Sequence, residues 1–530
     1  MISDLDTSAS TFDSHLASRR LVFGILLFVL LGLSGMSLLI RADSVIRVGD
    51  LFTSTGTEEA PIYSVWKVVH HYPLYESPLT GDYGLGLYNW LFYVFYGSFI
   101  RALGCDGSSL VLAGRLLTLL CAVLGCIGYQ RILAYLTSPL THAWSWTLSA
   151  LIWADAGEAG WWQLSIRPDF AALAMATWAL WIFLRAYERK QATLVLLSSL
   201  LFYTAWSFKQ STILIFAASC IVLLLWRRWT RGFCALAFPF ATLVALTFYL
   251  GGHNYVLNTV YAPSINAFIL SDGVRETGRA ILASPFIWLA GAIGAASLLL
   301  GQCRIAKDDN SSSFILHFLL VSYAITEIAD FVGICRQGSA RNTLFEAFLV
   351  SGILAALVTA DVFSGGPPLI QKRIWGRLLF GIAFSNALLL LIRLGPFTSF
   401  GRLTLASHHD FATRLKLTSE IQQLPAPVFV REGMLSLPWI ANRNQYPAVM
   451  DDVLFYEAAI KHGALTEYPV KTLVVAHHFR TLLVGKGDPA LNWALTAGCT
   501  LPALQAFSDW SLTRVDCDAV PEGTPLYHQH

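Results

Sequence analysis

Charged residues are scarce in this chain. Lys, Arg, Asp and Glu make up 13% of its 530 residues, whereas hydrophobic residues make up 55%. Soluble domains carry roughly 25% charged residues, so the composition excludes an ordinary soluble protein and indicates a polytopic membrane protein. The net charge of +2 provides no basic excess for binding nucleic acid, and we expect no nucleic-acid partner.

Motifs of several common enzyme classes are also missing. The nine cysteines show neither a Cys-x-x-Cys pair nor a His/Cys spacing, so nothing indicates a zinc or haem site. The chain has no glycine-rich phosphate loop, no nucleophile elbow and no zinc-binding helix motif. Cys499 and Cys517 differ from most other cysteines because they lie in a polar C-terminal region. If that region is outside the cytoplasm, they can form a disulfide.

Long hydrophobic runs dominate the first three quarters of the chain. The first run, Leu21 to Ile40, follows a polar tail of residues 1–20 and has about the 20 residues that a spanning helix needs. Further runs bring the predicted number of spans to about eleven: 109–130, 142–157, 169–187, 192–208, 210–227, 232–250, 282–301, 314–335, 343–362 and 376–394. We therefore predict an all-α transmembrane domain over residues 21–397.

Positive charge predicts the orientation of these spans. Basic clusters occur at 185–190, 227–231, 304–307 and 372–377, and the positive-inside rule makes those loops cytoplasmic. The first loop, residues 41–107, is then outside the cytoplasm. The aromatic run 86–103 does not cross the membrane in this topology, and we predict that it forms a helix on the outer membrane surface. The expected location is the inner (plasma) membrane, with several passes.

The C-terminal region, residues 398–530, falls outside the cytoplasm in the same topology. Strand-like runs at 427–430 and 473–476 alternate with helix-like stretches, a pattern typical of a small α/β domain. We predict an extracytoplasmic domain of that class. In this topology, the residues of a candidate site would come from the outer loops and from this domain.

Two adjacent acids, Glu58 and Glu59, lie in the first outer loop. Two like charges in a confined site resist simultaneous ionisation, and a carboxyl group that keeps its proton near neutral pH can serve as a general acid or base. The alternative is a solvated loop, which is favoured for an isolated Glu-Glu pair. Their position beside the membrane is what distinguishes them.

A second acid, Asp169, follows Arg167 and Pro168. Proline suits the start of a helix, so Asp169 is predicted in the first turn of the fourth span, at its outer end. An acid there can also be purely structural, stabilised by the helix dipole and by Arg167. The motif alone fits both interpretations equally.

Basic residues on the outer side form a third group. Lys209, next to Gln210, and the pair Arg336 and Arg341 run against the positive-inside trend. Arginine and lysine bind phosphate well in a polar cavity. Contact with lipid headgroups is the simpler explanation for any one of them.

Glu346 follows Asn342 by one helical turn, inside the tenth predicted span. An acid inside a span is costly, which favours a functional role; the alternative is a salt bridge to Arg336 or Arg341. Tyr63 and Tyr83 could stack on a sugar or line a lipid groove. Aromatic residues at a membrane interface more often form an anchoring belt.

The order of these residues resembles the GT-C class of bacterial multispanning glycosyltransferases, related to dolichyl-phosphate-mannose protein mannosyltransferases and lipid A aminoarabinose transferases. The resemblance covers roughly residues 20–395, and an outer C-terminal domain is usual in the class. The matching segments are Glu59-Ala60-Pro61-Ile62-Tyr63, Pro73-Leu74-Tyr75, Tyr83-Gly84-Leu85, Gly114-Arg115-Leu116-Leu117, Arg167-Pro168-Asp169, Phe208-Lys209-Gln210, and Gly338-Ser339 with Asn342 and Glu346.

The resemblance implies roles for individual residues. The acid of the first loop, Glu58 or Glu59, would act on the acceptor as a base or a metal-linked acid. Asp169 would be the acid that opens the later span. Basic residues would hold the phosphate of the donor, which suggests Lys209, Arg336 and Arg341. The class often has Asp-Glu in the first loop and Asn-Tyr after the glycine segment, whereas this chain has Glu58-Glu59 and Asn342-Thr343.

The implied reaction moves a sugar from a polyprenyl-phosphate donor to an acceptor hydroxyl on a lipid, a glycan or a protein of the cell envelope. Direct displacement would invert the anomeric centre. A divalent ion such as Mg²⁺ or Mn²⁺ would suit the carboxylates of Glu59 and Asp169, although two acids are too few ligands to require one. A transporter or lipid flippase is the main alternative function, and a non-catalytic assembly partner is the third.

Overall fold

The computed structural model describes residues 3–51, 58–77, 79, 85–137, 142–155, 160–226, 229–301, 309–363, 370–394, 415–416, 418–430, 437–443, 453–485, 487–502 and 512–518. Helices of the N-terminal three quarters are α1 (Ser3–Val48), α2 (Glu59–Val69), α3 (Trp90–Ala102), α4 (Ser108–Leu136), α5 (His142–Trp153), α6 (Asp169–Arg189), α7 (Ala192–Phe208), α8 (Leu214–Ile221), α9 (Thr230–Val256), α10 (Leu270–Ala283), α11 (Pro285–Leu299), α12 (Asp309–Ile334), α13 (Phe345–Phe363) and α14 (Ile370–Leu394).

Seven of the predicted spans correspond to helices that are long and apolar enough to cross a membrane. The other four predicted spans correspond to shorter helices, α5, α7, α8 and α11. The run 282–301 contains all of α11 and the last two residues of α10, and the chain bends by 98° between these two helices. Ser284 adopts a non-helical conformation there, and Pro285 starts the new helix. The total of eleven spans stays a prediction.

The first loop contains two short helices that pack on each other, α2 and α3. Glu59 begins α2, so the acidic pair stands at a helix start instead of in an irregular loop. The run predicted as a surface helix, 86–103, is helical from Trp90 to Ala102. Its buried residues include Phe92, Tyr93 and Tyr96, which places part of the aromatic surface against protein.

The C-terminal region contains a three-stranded sheet in the order β1 (Val428–Val430), β2 (Thr481–Gly485) and β3 (Leu512–Asp516). β1 is parallel to β2, and β2 is antiparallel to β3. The helices of this region are α15 (Leu437–Asn442), α16 (Val453–Lys461), α17 (Pro469–Val475) and α18 (Pro489–Thr496). A disulfide joins Cys499 to Cys517, the pair that the sequence indicated.

The strand predicted at 473–476 is wrong, because Leu473 to Val475 belong to helix α17. Pro469 occupies the first turn of that helix, where its fixed φ suits helix initiation. Val470, Leu473 and Val474 are buried, which is the i, i+3, i+4 spacing of a helix face. The β-branched composition misled the sequence prediction.

Candidate functional site

Arg115 connects Glu58 to the body of the protein. The Glu58 carboxylate is fully buried and accepts hydrogen bonds from Nη2 of Arg115 at 2.9 Å and from Nε at 3.2 Å. It also accepts one from the backbone N–H of Ile166 at 2.7 Å, while Nη1 of Arg115 donates to the Gly49 carbonyl at 2.7 Å. A buried carboxylate with these partners is a structural anchor. It holds the start of α2 beside the segment that leads to Asp169.

Glu59 is the first residue of α2 and is almost completely buried. Residues four apart lie on one helix face, so Tyr63 and Lys67 follow it along α2. Tyr63 is buried and stacks on Trp66, with ring centroids 5.4 Å apart, which is a packing role. Burial lowers the pKa of Lys67, and the contact of its Nζ with Glu76 Oε2 at 2.5 Å partly offsets that shift.

Asp169 lies at the centre of the candidate site. It begins α6 and is buried. Its Oδ1 accepts hydrogen bonds from Lys209 Nζ at 2.6 Å and from Asn342 Nδ2 at 2.9 Å. Lys209 Nζ also donates to the Asn342 carbonyl at 3.0 Å. The structure therefore brings together three residues that the sequence had singled out from three separate segments.

The second carboxylate oxygen of Asp169, Oδ2, is buried and has no hydrogen-bond partner within the described part of the chain. A small cavity of about 10 Å³ opens beside Asp169, which is room for about one water-sized group. Its lining is mostly polar or charged: Asp169, Leu173, Lys209, Ser211, Thr212, Asp330, Asn342, Thr343, Phe345 and Glu346. A buried acceptor that lacks a partner is expensive, so this oxygen suits a ligand hydroxyl or a water molecule.

Asp330 also belongs to this lining, although no sequence motif pointed to it. Its Oδ2 accepts the backbone N–H of Ala347 at 2.9 Å. The signal was available, because Asp330 lies inside the predicted span 314–335 and acids within spans are functional candidates. It brings another carboxyl group to the cavity that contains Asp169 and Lys209.

Glu346 also lines the cavity, but its oxygens are occupied. They accept the backbone N–H groups of Ile213, Leu214 and Ile215, each at 3.1 Å. The first N–H groups of a helix have no partner within that helix, so Glu346 caps the start of α8. These contacts are structural, and they replace the salt bridge to arginine that the sequence offered as the alternative.

Arg336 and Arg341 are not among the described residues that line the Asp169 cavity. Arg336 is exposed, and its Nη1 donates to the carbonyls of Ser264 at 2.7 Å and Asn266 at 3.3 Å. Arg341 lies close enough to Arg41 and Arg393 to repel both electrostatically. Arg336 therefore contacts carbonyls outside the cavity, and a phosphate-binding role for either arginine stays a prediction.

Gln210 and Arg167 hold the chain that precedes α3. Nε2 of Gln210 donates to the Leu87 carbonyl at 2.7 Å and to the Thr259 carbonyl at 3.2 Å. Nη1 of Arg167 donates to the Tyr88 hydroxyl at 2.7 Å. These contacts hold Leu87 and Tyr88 in place, just before α3. Tyr83 lies outside the described residues.

The described residues do not fit a metal site held by protein alone. No group of three or more His, Cys, Asp or Glu side chains with suitable geometry occurs among them. Asp169 has already engaged Oδ1 with Lys209 and Asn342. Its ammonium neighbour supplies the positive charge that a cation would otherwise provide.

Comparisons with known proteins identify the fold. No family model and no curated protein sequence matches the chain. The solved structure of ArnT from Cupriavidus metallidurans bound to undecaprenyl phosphate matches with a TM-score of 0.53 at 12% identity, covering 91% of this chain and 97% of ArnT. The apo structure of the same protein matches with a TM-score of 0.52 at 11% identity, covering 91% and 96%. The chain therefore has the fold of the GT-C membrane glycosyltransferases, the fold of ArnT.

Proposed function

We propose that this protein is a membrane glycosyltransferase that moves a sugar from a polyprenyl-phosphate donor to an acceptor hydroxyl. The observation that carries the proposal is the buried Asp169, whose Oδ1 is fixed by Lys209 and Asn342 while Oδ2 stands beside a polar cavity without a partner in the described chain. The ArnT structure with the same fold contains undecaprenyl phosphate, which supports a donor of that class.

Lys209 is the residue proposed to stabilise the departing phosphate. An ammonium group has three N–H donors, and two of them bind Asp169 and the Asn342 carbonyl. The third donor has no partner within the described residues and can bind a phosphate oxygen. A fixed positive charge in a buried site favours the charge that develops on the leaving group.

Glu59 is the proposed general base. The acceptor oxygen forms a bond to the anomeric carbon while the bond from that carbon to the phosphate oxygen breaks, and the electron pair stays on the phosphate. Glu59 takes the proton of the acceptor hydroxyl. A single displacement of this kind inverts the anomeric centre. Glu58 cannot easily share this role, because Arg115 and Ile166 occupy its carboxylate.

Asp169 has a binding and positioning role in this mechanism. Its Oδ1 fixes the ammonium group of Lys209, and its Oδ2 can accept a hydroxyl of the sugar or of the acceptor. The site is proposed to face the outer side of the cytoplasmic membrane, where residues 398–530 form the extracytoplasmic domain. That assignment follows from the basic loops at the opposite helix ends.

The test is sugar transfer by the purified protein in lipid nanodiscs, supplied with a panel of radiolabelled polyprenyl-phosphate sugars and envelope lipids as acceptors. We expect Glu59→Gln to lower the transfer rate by about 10²- to 10⁴-fold, the usual contribution of a general base. We expect Asp169→Asn to lower the rate and weaken donor binding. Glu467→Gln is the matched control, because Glu467 is an exposed acid of the C-terminal region, and it should leave the rate unchanged.

Three outcomes would reject parts of the proposal. Full transfer by both Glu59→Gln and Asp169→Asn would show that the acids are not the site. Movement of donor lipid across a vesicle membrane without transfer would favour a flippase. A wild-type protein that shows neither transfer nor transport would favour a non-catalytic role. Thermal melting of each variant separates a lost reaction from a lost fold.

A further inference from the structure

Helix α10 (Leu270–Ala283) does not run in the same direction as the helix that follows it. The chain bends by 98° at Ser284, between α10 and α11. α11 packs lengthwise along α13, where Gly291 and Gly294 meet the backbone of Ser351 and Leu354. Since α13 belongs to a candidate span, 341–362, α11 lies alongside that span and α10 is roughly perpendicular to it.

The surface of α10 is divided into three stripes. At about 100° per residue, Leu270, Val274 and Leu282 fall within an arc of about 120°, and their side chains are 56%, 59% and 65% exposed. The apolar stripe of α10, as defined by these three residues, therefore faces away from the protein.

The second stripe of α10 is charged. Its members are joined by ion pairs: Arg275 with Asp272 at 3.0 Å and with Glu276 at 3.4 Å, and Arg279 with Glu276 at 2.6 Å. Two cations and two anions give this stripe no net charge. It lies next to the apolar stripe around the helix, as in helices that rest in the interface between acyl chains and water.

The third stripe attaches α10 to the protein through small residues. Gly273, Ala280 and Ala283 are buried, and a Cβ added to Gly273 would lie 2.1 Å from Sγ of Cys335. The backbone just before α10 is also fixed, because Ile269 N–H donates to the Cys335 carbonyl and Gln337 N–H donates to the Ala267 carbonyl. The helix that carries the exposed Leu270, Val274 and Leu282 is therefore packed firmly against the protein.

We propose that α10 is an in-plane membrane helix whose apolar stripe is embedded among the acyl chains of bilayer phospholipids, on the membrane face that carries the Asp169 site. The same backbone contacts join α10 to the loop 335–342, which supplies Asn342 to Asp169. Lipid contact at α10 thus supports the loop that contributes to the site. The proposal concerns a lipid surface and does not depend on sugar transfer.

The test is photo-crosslinking in nanodiscs of radiolabelled phosphatidylcholine, with p-benzoyl-phenylalanine incorporated at single positions. Positions 274 and 282 should give severalfold more lipid adduct than position 279, which lies on the charged stripe of the same helix. Leu250, an exposed residue of a candidate span, gives the reference for full lipid contact, and Glu467 gives the reference for water. Equal adduct at 274 and 279 would overturn the proposal, as would protein–protein adducts in place of lipid adducts at 274 and 282. Size-exclusion chromatography of each labelled protein confirms that it is folded, and position 282 provides the second reading if 274 fails to express.

Discussion

Glu58 and Glu59 are adjacent in the chain but have different surroundings in the structure. Glu58 is neutralised by Arg115 and bonded to the Ile166 N–H, with no exposed surface. Glu59 begins the adjoining helix and retains a little exposure. A buried carboxylate that is already held by a guanidinium group serves as an anchor. The pair therefore divides into an anchor and a candidate base.

Removal of one partner of the buried Glu58–Arg115 pair should destabilise the protein. Arg115→Met leaves Glu58 buried without its counter-charge, which costs about 3–5 kcal/mol, and Glu58→Gln leaves Arg115 in the same state. The measurement is the thermal unfolding midpoint of the detergent-purified variants. The double variant should recover part of the loss, because neither charge is then left alone. Glu59→Gln should lower the midpoint by less than Glu58→Gln does, because Glu59 retains some exposure. Equal losses for the two variants would contradict the division of roles.

The sequence could indicate which residue types gather on one membrane face, but not which of them touch. Asp169, Lys209 and Asn342 were selected separately and meet at one oxygen. Arg336 is a cation selected on the same grounds as Lys209, yet it binds the carbonyls of Ser264 and Asn266 instead. These contacts join residues that are 40 and 173 positions apart in the chain. They depend on helix rotation and packing, and hydropathy does not contain that information.

Close approach between α11 and α13 is the clearest feature at the level of single elements. A Cβ on Gly294 would lie 2.4 Å from the Leu354 carbonyl oxygen, and a Cβ on Gly291 would lie 2.7 Å from that of Ser351. Small residues at such positions let membrane helices pack backbone to backbone. This contact fixes α13, whose first turn contains Glu346.

Gly294→Ala should therefore weaken the protein, although alanine is the better helix former. The added methyl group forces the helices apart, and overpacking of this kind costs roughly 1–3 kcal/mol. Gly381→Ala is the matched control, because Gly381 lies within helix α14, is exposed and has no atom within 4 Å of its Cβ position. That variant should be neutral or more stable by up to about 1 kcal/mol. The readout is the thermal midpoint in detergent, and equal midpoints for the two variants would argue against tight contact between α11 and α13.

Helices were far easier to predict from the sequence than strands. The long apolar runs marked the spanning helices to within several residues, because a bilayer demands about 20 apolar residues in one stretch. The sequence indicates neither β2 nor β3, and it predicts a strand where helix α17 forms. Short elements of a small domain depend on tertiary contacts, such as the pairing of Leu482 with Val515, which no local pattern reveals.

The C-terminal region rests on the first loop of the transmembrane part. Asp50 Oδ2 accepts a hydrogen bond from Arg443 Nη1 at 2.8 Å and from Trp439 Nε1 at 3.4 Å. Trp439 is fully buried, and its helix α15 contacts both β1 and α2. The helix that starts with Glu59 is thereby supported from the C-terminal region. Contacts that join the two parts bear directly on the candidate site.

Arg443→Leu should loosen this junction without unfolding either part. Asp50 would keep its buried charge and lose its cation, at a cost of about 3 kcal/mol, or about a hundredfold in the local opening equilibrium. Hydrogen exchange followed by mass spectrometry should show faster exchange in peptides covering 437–443 and 59–69, with the β2–β3 pair unchanged. Sugar transfer should fall in parallel, because α2 carries Glu59.

Lys471→Leu is the matched control, since its ion pair with Glu467 is exposed and such pairs contribute little. Unchanged exchange at 59–69 in Arg443→Leu would mean that α2 holds its position independently of the C-terminal region, and faster exchange throughout the protein would show that the junction is part of the global fold.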